Sequence, residues 1–342
     1  SAALHQYICG LFANDPDRPF TLLNEGLVRE IVDALDAAAC NEPRTVIGKV
    51  EVYGCDRLSL IGVLMRLICA EPELDVCFNA HCAAADVRDG CITSLTVRTL
   101  NEEFQVDADV FLDATGTGSM MRLFDGAYDL PTPEELQLAG FSMLLSGVDC
   151  ADDMLPVKVP YALARAAAGG SFPDELKFST MSVSFFDHTC LLKLSVPAKI
   201  EPDLPDKVVA LLQSELPSLA DTSVLVKSPR AIPREGARLK GECMLTERNV
   251  LGAQECRYPS VKAAWPIEFW NPDHGPRLSY VPSGKYYHIP DSCFRSSVLR
   301  NLYAAGSCIS ADRKALASAR VAGTCMATGE AAARYAVLKG VS

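Results

Sequence analysis

The sequence predicts an α/β domain interrupted by an inserted α+β domain, and three observations carry that prediction. Near the C-terminus a short apolar strand, Asn301-Leu302-Tyr303-Ala304-Ala305, runs into Gly306, and a helix of small residues follows from about Ser318. Earlier, a second apolar strand, Val110-Phe111-Leu112-Asp113, ends in the turn Ala114-Thr115-Gly116. Between them the texture changes near Leu130. Pro131, Pro133, Pro156, Pro160 and Pro173 punctuate the chain there, and strands group together instead of alternating with helices.

Taken in order, residues 24–38 read as a helix: Leu27, Ile31 and Leu35 share a face with Val28 and Val32, and Asn24 is the expected N-cap. Asp56 caps a second helix carrying Leu58, Ile61, Leu64, Met65 and Ile68, which Glu71-Pro72 ends. Residues 74–78 read as a short strand. Asp89-Gly90 marks a hairpin between strands at 83–88 and 91–99. A polar turn at Asn101-Glu102-Glu103 leads to the strand that closes on Gly116. In the insertion, strand-like runs lie at 141–148, 181–186, 190–196 and 224–226, with a helix at 206–216. The first domain is thus expected to comprise residues 1–130 and 288–342, and the inserted one 131–287.

The terminal helix is unusual in composition. Gly323 and Gly329 each cost about 1 kcal/mol against alanine inside a helix, so some close approach should offset them. Ala322, Gly329, Ala333 and Ala336 fall near one helical face, where another backbone or a flat ligand could come close. Lys339 and Gly340 end the helix in the usual way. A strand, a glycine turn and a helix start aimed at a ligand form a common phosphate-holding arrangement in α/β proteins.

Composition excludes several classes. Hydrophobic residues make up 49% and charged residues 22%, ordinary for a globular chain, and no apolar run reaches a membrane-spanning length. A net charge of −11 speaks against a nucleic-acid surface. The 14 cysteines are scattered, with neither C-x-x-C nor metal spacing, and are expected as thiols in a cytoplasmic protein. Cys77 and Cys82 have a redox-like spacing but are read as structural, because residues five apart in a strand face opposite ways.

Several motifs now fall in one order. Tyr287-His288-Ile289-Pro290, Asn301-Leu302-Tyr303-Ala304-Ala305-Gly306, Cys308-Ile309-Ser310, Arg320-Val321 and Gly329-Glu330-Ala331-Ala332 together resemble the C-terminal signature of FAD-dependent oxidoreductases with the glutathione-reductase-like flavin fold. Arg230, Arg234, Arg238 and Lys240 before Gly241-Glu242-Cys243-Met244-Leu245-Thr246 resemble the same family. The resemblance implies an FAD/NAD(P)-binding Rossmann-like domain with an inserted α+β substrate domain, and hydride transfer between a small organic substrate and flavin. It also implies cofactor contacts at Ala114, Thr115, Gly116, Gly306, Ser307, Cys308, Ser310, Arg320 and Val321.

The family's G-x-G-x-x-G unit, with its strand, helix and acidic ribose ligand, does not occur. Ser1-Ala2-Ala3-Leu4-His5 falls where the family is already past it, so the expectation is a truncated chain or a second polypeptide supplying that unit. The alternative to an enzyme is then a non-catalytic or partner-dependent flavin-fold subunit. A further alternative takes Gly116 and Gly118, in a broken G-x-G-x-x-G, as a nicotinamide site.

For the chemistry, removing hydride from carbon next to oxygen or nitrogen needs a base, and histidine is the commonest near neutral pH. His288 is the expected catalytic residue, with His274 and Tyr286 beside it. Arg238 and His5 are expected on the substrate. Arg295 and Arg313, with Arg320, are candidates for phosphate or flavin oxygens, and residues 265–275 for a stiff aromatic pocket wall.

Overall fold

A computed structural model describes residues 6–38, 44–55, 57–184, 188–257 and 259–340. His5 and Asp56 lie outside the described residues. The chain divides into a smaller unit, residues 1–6, 134–234 and 269–277, and a larger one of 7–133, 235–268 and 278–342.

The larger unit opens with β1 (Tyr7–Cys9), α1 (Leu27–Ala37), β2 (Thr45–Ile47) and β3 (Val50–Gly54), the strands forming an antiparallel sheet in the order β1–β3–β2. Helix α1 buries Val28, Ile31, Val32 and Leu35, as its periodicity predicts, whereas Leu27, expected on the same face, is 38% exposed. Its cap differs from expectation. Gly26 is the N-cap position, and the Leu27 N–H donates to Glu330 Oε2 at 2.9 Å. Asn24 is engaged elsewhere, as described below.

Helix α2 (Arg57–Ala70) follows, and then the meander β4 (His81–Arg88), β5 (Cys91–Arg98) and β6 (Glu103–Asp107). Its first turn places Asp89 and Gly90 at φ 49° and 73°, the backbone a two-residue hairpin requires. Residues 74–78 are not a strand. Nothing pairs with them, and Leu74, Val76 and Phe78 stand in solvent at 49%, 46% and 62% exposure. Cys77 is an exposed thiol and Cys82 a half-buried one. Strand β7 (Phe111–Asp113) and the short β8 (Tyr128–Asp129) complete this stretch.

The smaller unit holds β9 (Ala139–Ser146), α3 (Leu155–Ala168), β10 (Thr180–Ser184), β11 (Thr189–Val196), α4 (Leu204–Glu215) and β12 (Ser223–Lys227). Its antiparallel sheet runs β10–β11–β9–β12. Ala139, Phe141, Met143 and Leu145 alternate into a core with Leu155, Val159 and Leu163 of α3 and Val208 and Leu212 of α4. Helix α3 was hidden by its prolines. Pro156 sits in the first turn, where the N–H has no intrahelical partner, and Pro160 sacrifices one bond that apolar burial offsets.

The chain returns through β13 (Arg238–Leu239), paired with β8, then α5 (Glu247–Leu251), β14 (Pro259–Ala263) and the hairpin β15 (Ile267–Asn271) and β16 (Gly275–Ser279). Strand β17 (Tyr287–Pro290) runs antiparallel to β14, and β18 (Leu302–Ala304) parallel to β7. The predicted terminal helix is two helices, α6 (Arg313–Ala319) and α7 (Ala322–Gly340), broken at Arg320-Val321. Asp312 starts α6 by accepting the Ala315 N–H at 2.8 Å. Helix α7 buries Thr324, Ala327, Thr328, Ala332 and Ala336, while Ala333 is exposed. The buried face is therefore rotated from the predicted one. No described helix is long and apolar enough to cross a membrane.

Candidate active site

Strands β7 and β18 lie side by side in parallel, with Leu302 opposite Phe111 and Ala304 opposite Asp113. Both end in glycine turns, with Gly116 at φ 79° and Gly306 at φ 63°. The carboxyl end of adjacent parallel strands is where α/β sheets receive ligands.

The first turn is organised by Asp113, which is fully buried. Its Oδ1 accepts the Thr115 N–H at 2.9 Å and the Thr115 hydroxyl at 2.7 Å; Oδ2 accepts the Met121 N–H at 2.8 Å. The acid is the residue that sequence reasoning missed, although an Asp two places before Thr at a strand end is an Asx-turn signal. Ala114 and Thr115 are exposed and Gly116 half-buried, so this backbone is accessible. Gly118 is not. A Cβ there would lie 2.6 Å from Ala237 Cβ and 2.8 Å from its carbonyl oxygen. Its open side is filled by protein, which removes the room a nicotinamide pyrophosphate would need.

The second turn is held from outside. The Gly306 N–H donates to Thr328 Oγ1 at 2.9 Å, and the Ser307 hydroxyl donates to the Gly116 carbonyl at 2.8 Å. Cys308 is fully buried, its thiol 3.8 Å from Asp113 Oδ1 and its pKa pushed up to about 12 by burial. Ser310 is 3% exposed and packs on Gly241. Cys308 and Ser310, expected as cofactor contacts, are thus taken up by the protein's own packing.

The corner between α6 and α7 carries unspent polar atoms. Arg320 donates through Nη2 to the Glu268 carbonyl at 3.1 Å, while its Nε is buried without a partner. Burial lowers its pKa, against the pull of Glu268 and Glu235. Thr324 Oγ1, one turn on, is also buried without a partner. Gly323 answers a different need. A Cβ there would fall 2.8 Å from Gly10 C and Leu11 N, so it admits a crossing backbone, and Val321 packs over Gly10 beside it. A Cβ at Gly329 would meet nothing within 4 Å beyond its own stretch of helix.

The other predicted residues scatter. Arg238 and Arg313 share the buried carboxylate of Glu235, Arg313 in two bonds of 3.0 and 2.7 Å and Arg238 at 4.0 Å. Arg295 pairs with Glu242 at 3.1 Å. These arginines are tied to the protein's own acids. His274 is exposed in the turn between β15 and β16, in the smaller unit, with its N–H donated to Asn271 Oδ1 at 3.0 Å.

His288 and Tyr286 do come together, with ring centroids 5.5 Å apart. His288 is 8% exposed. Its Nδ1 accepts the Cys256 N–H at 3.1 Å, and its Nε2 is buried with no partner. A neutral imidazole whose Nδ1 accepts must carry its hydrogen on Nε2. The ring therefore presents a donor and not the base that the sequence suggested. Such a donor left without a partner costs about 1–3 kcal/mol. Burial lowers the His288 pKa; Glu255 opposes that shift and Lys262 adds to it. Behind it, the Tyr287 hydroxyl and Ser318 Oγ lie 2.7 Å apart, and Ser318 donates to the Trp265 carbonyl, tying β17 to α6.

A family model described as FAD dependent oxidoreductase matches residues 1–164 and 193–340. No curated protein matches the sequence. Among solved structures the chain is similar to the flavin-dependent brominase Bmp2, at 10% identity and a TM-score of 0.45, over 100% of this chain and 71% of that one. It is also similar to a geranylgeranyl bacteriochlorophyll reductase-like protein from Thermoplasma acidophilum, at 10% identity and TM-score 0.41, over 86% of this chain and 57% of that one. L-proline dehydrogenase from P. horikoshii follows at 9% and 0.35, over 87% of this chain and 61% of its own.

Proposed function

This chain belongs to the FAD-dependent oxidoreductase family, and on that footing we propose that it transfers hydride between a small organic substrate and the flavin. FAD is the cofactor of the family, and the fold is its Rossmann-like α/β fold.

The residues present fit that group. Accessible backbone at Ala114, Thr115, Gly116 and Gly306 stands at the carboxyl ends of two adjacent parallel strands. The observation that carries the reading is the pair of orphaned buried atoms beside it, Arg320 Nε and Thr324 Oγ1. Groups of this kind rarely stay buried without a partner, and FAD offers carbonyl and phosphate oxygens to accept from them. When bound, FAD supplies a two-electron acceptor. Gly116, Gly306, Arg320 and Val321 would hold it, with Arg320 kept in place through Glu268. Ser307 contributes by bracing the two turns against each other. His288 and Tyr286 would meet the substrate, orienting the carbon that gives up hydride.

The test is anaerobic mixing of the FAD-loaded chain with small alcohols, amines and carboxylic acids, protiated or deuterated at the carbon beside the heteroatom. Loss of the visible flavin band, slowed by deuterium, is the expected result. A flavin that dithionite reduces but no such substrate does would count against the reading.

A further inference from the structure

Among the described residues of the larger unit, His288 Nε2 is a buried donor left unspent on a strand face that also carries a cation. His288 is held as the Nε2–H tautomer by the Cys256 N–H, and its own backbone N–H donates to the Gln254 carbonyl at 3.0 Å. Lys262 is the cross-strand partner of His288 in the β14–β17 ladder. Directly opposed residues project from one face with Cβ atoms about 5 Å apart. The Lys262 backbone is clamped by the Asn24 carboxamide, which donates to its carbonyl at 2.9 Å and accepts its N–H at 3.0 Å. That clamp is what Asn24 does in place of capping α1. The Lys262 ammonium rests 5.0 Å from the centroid of the Tyr286 ring, and the exposed Glu25 carboxylate lies near enough to feel its charge. Tyr286, half-exposed, stands beside both donors.

We propose that His288 Nε2–H and Lys262 Nζ together bind one carboxylate of the substrate, Tyr286 turning aside to admit it. The assignment rests on the reading of a small organic substrate and narrows it to carboxylic acids. A carboxylate has two acceptor-only oxygens, which suits one neutral N–H and one ammonium. A neutral imidazole donates without a second positive charge next to the lysine, and a rotamer change of Tyr286 is an ordinary motion. The charged groups acting on the ring are Glu255 and Lys262. Carboxylate binding adds charge balance to Lys262 without asking the imidazole to accept a proton.

The experiment uses the full chain labelled with 15N at histidine and reads the His288 ring by 1H–15N correlation. Without ligand, at about pH 8, a pyrrole-type Nε2 and a pyridine-type Nδ1 are expected. A pyrrole-type Nδ1 would overturn the proposal. Sodium acetate is then titrated. The Nε2–H proton should move saturably, and Lys262→Met should weaken acetate binding roughly tenfold while leaving the tautomer intact. FAD alone should leave the signal in place. If FAD moves it and acetate does not, the pair serves the cofactor and the substrate assignment fails. If neither moves it, the donor is structural and the assignment fails as well. These readouts need no turnover, so their failure leaves hydride transfer standing, and the failure of hydride transfer leaves them standing.

Discussion

The two glycine turns at the end of the β7–β18 pair do the same geometric job by opposite means. The Asp113–Gly118 turn is self-organised: one buried carboxylate gathers the Thr115 N–H, the Thr115 hydroxyl and the Met121 N–H within eight residues. The Gly306 turn has no such side chain. It leans on Thr328, 22 residues away, and on the Gly116 carbonyl of the first turn. The lesson is one of dependence. The first turn can form from its own neighbours, whereas the second needs α7 in place and the first turn already built.

The sharpest way to break that comparison is Asp113→Ala. It strands buried donors and should cost about 3 kcal/mol in urea unfolding, loosening both turns. A cost no larger than that of Ser307→Ala would show the first turn is not self-organised. Next comes the helix that supports the second turn. Gly323→Ala pushes a methyl group against the Gly10 and Leu11 backbone and should cost about 2 kcal/mol. Thr328→Val keeps the shape but leaves the Gly306 N–H unbonded, for about 1–2 kcal/mol. Gly329→Ala, in open space on the same helix, should instead stabilise by up to about 1 kcal/mol. If the two glycine substitutions behave alike, the small residues of α7 have a common cause, and the distinction drawn between them fails.

A pH effect separates the β14–β17 face from both turns. The folded His288 pKa is lowered below its ordinary 6.5, chiefly by burial. Between the lowered value and 6.5 the unfolded chain binds the extra proton, so stability rises with pH through that window and is lost on acidification. His288→Gln should flatten that slope in denaturant melts taken across the window.

What was legible in the sequence follows the same division between local and distant partners. Helix α1, the Asp89-Gly90 hairpin and the strand leading to Gly116 were readable because period and turn chemistry lie within a few residues. Asn24 looked like a cap, yet its carboxamide goes to Lys262, 238 residues on. Glu330 then caps α1 across 303 residues, a pairing no local pattern announces. Pro156 and Pro160 concealed α3 because tertiary burial overrode their propensity. In the proposed site, Gly116, Gly306 and Arg320 are candidates that motif order alone puts forward. The donor state of His288 was not legible, since it is set by a backbone N–H 32 residues away.

The most direct test of the central claim is flavin retention by the two turns. The chain is incubated with FAD, desalted and its visible spectrum recorded beside that of Asp113→Ala. Flavin bands that stay with the wild-type chain and are lost from the variant are the predicted result. A wild-type chain of native circular dichroism that emerges without flavin would contradict it.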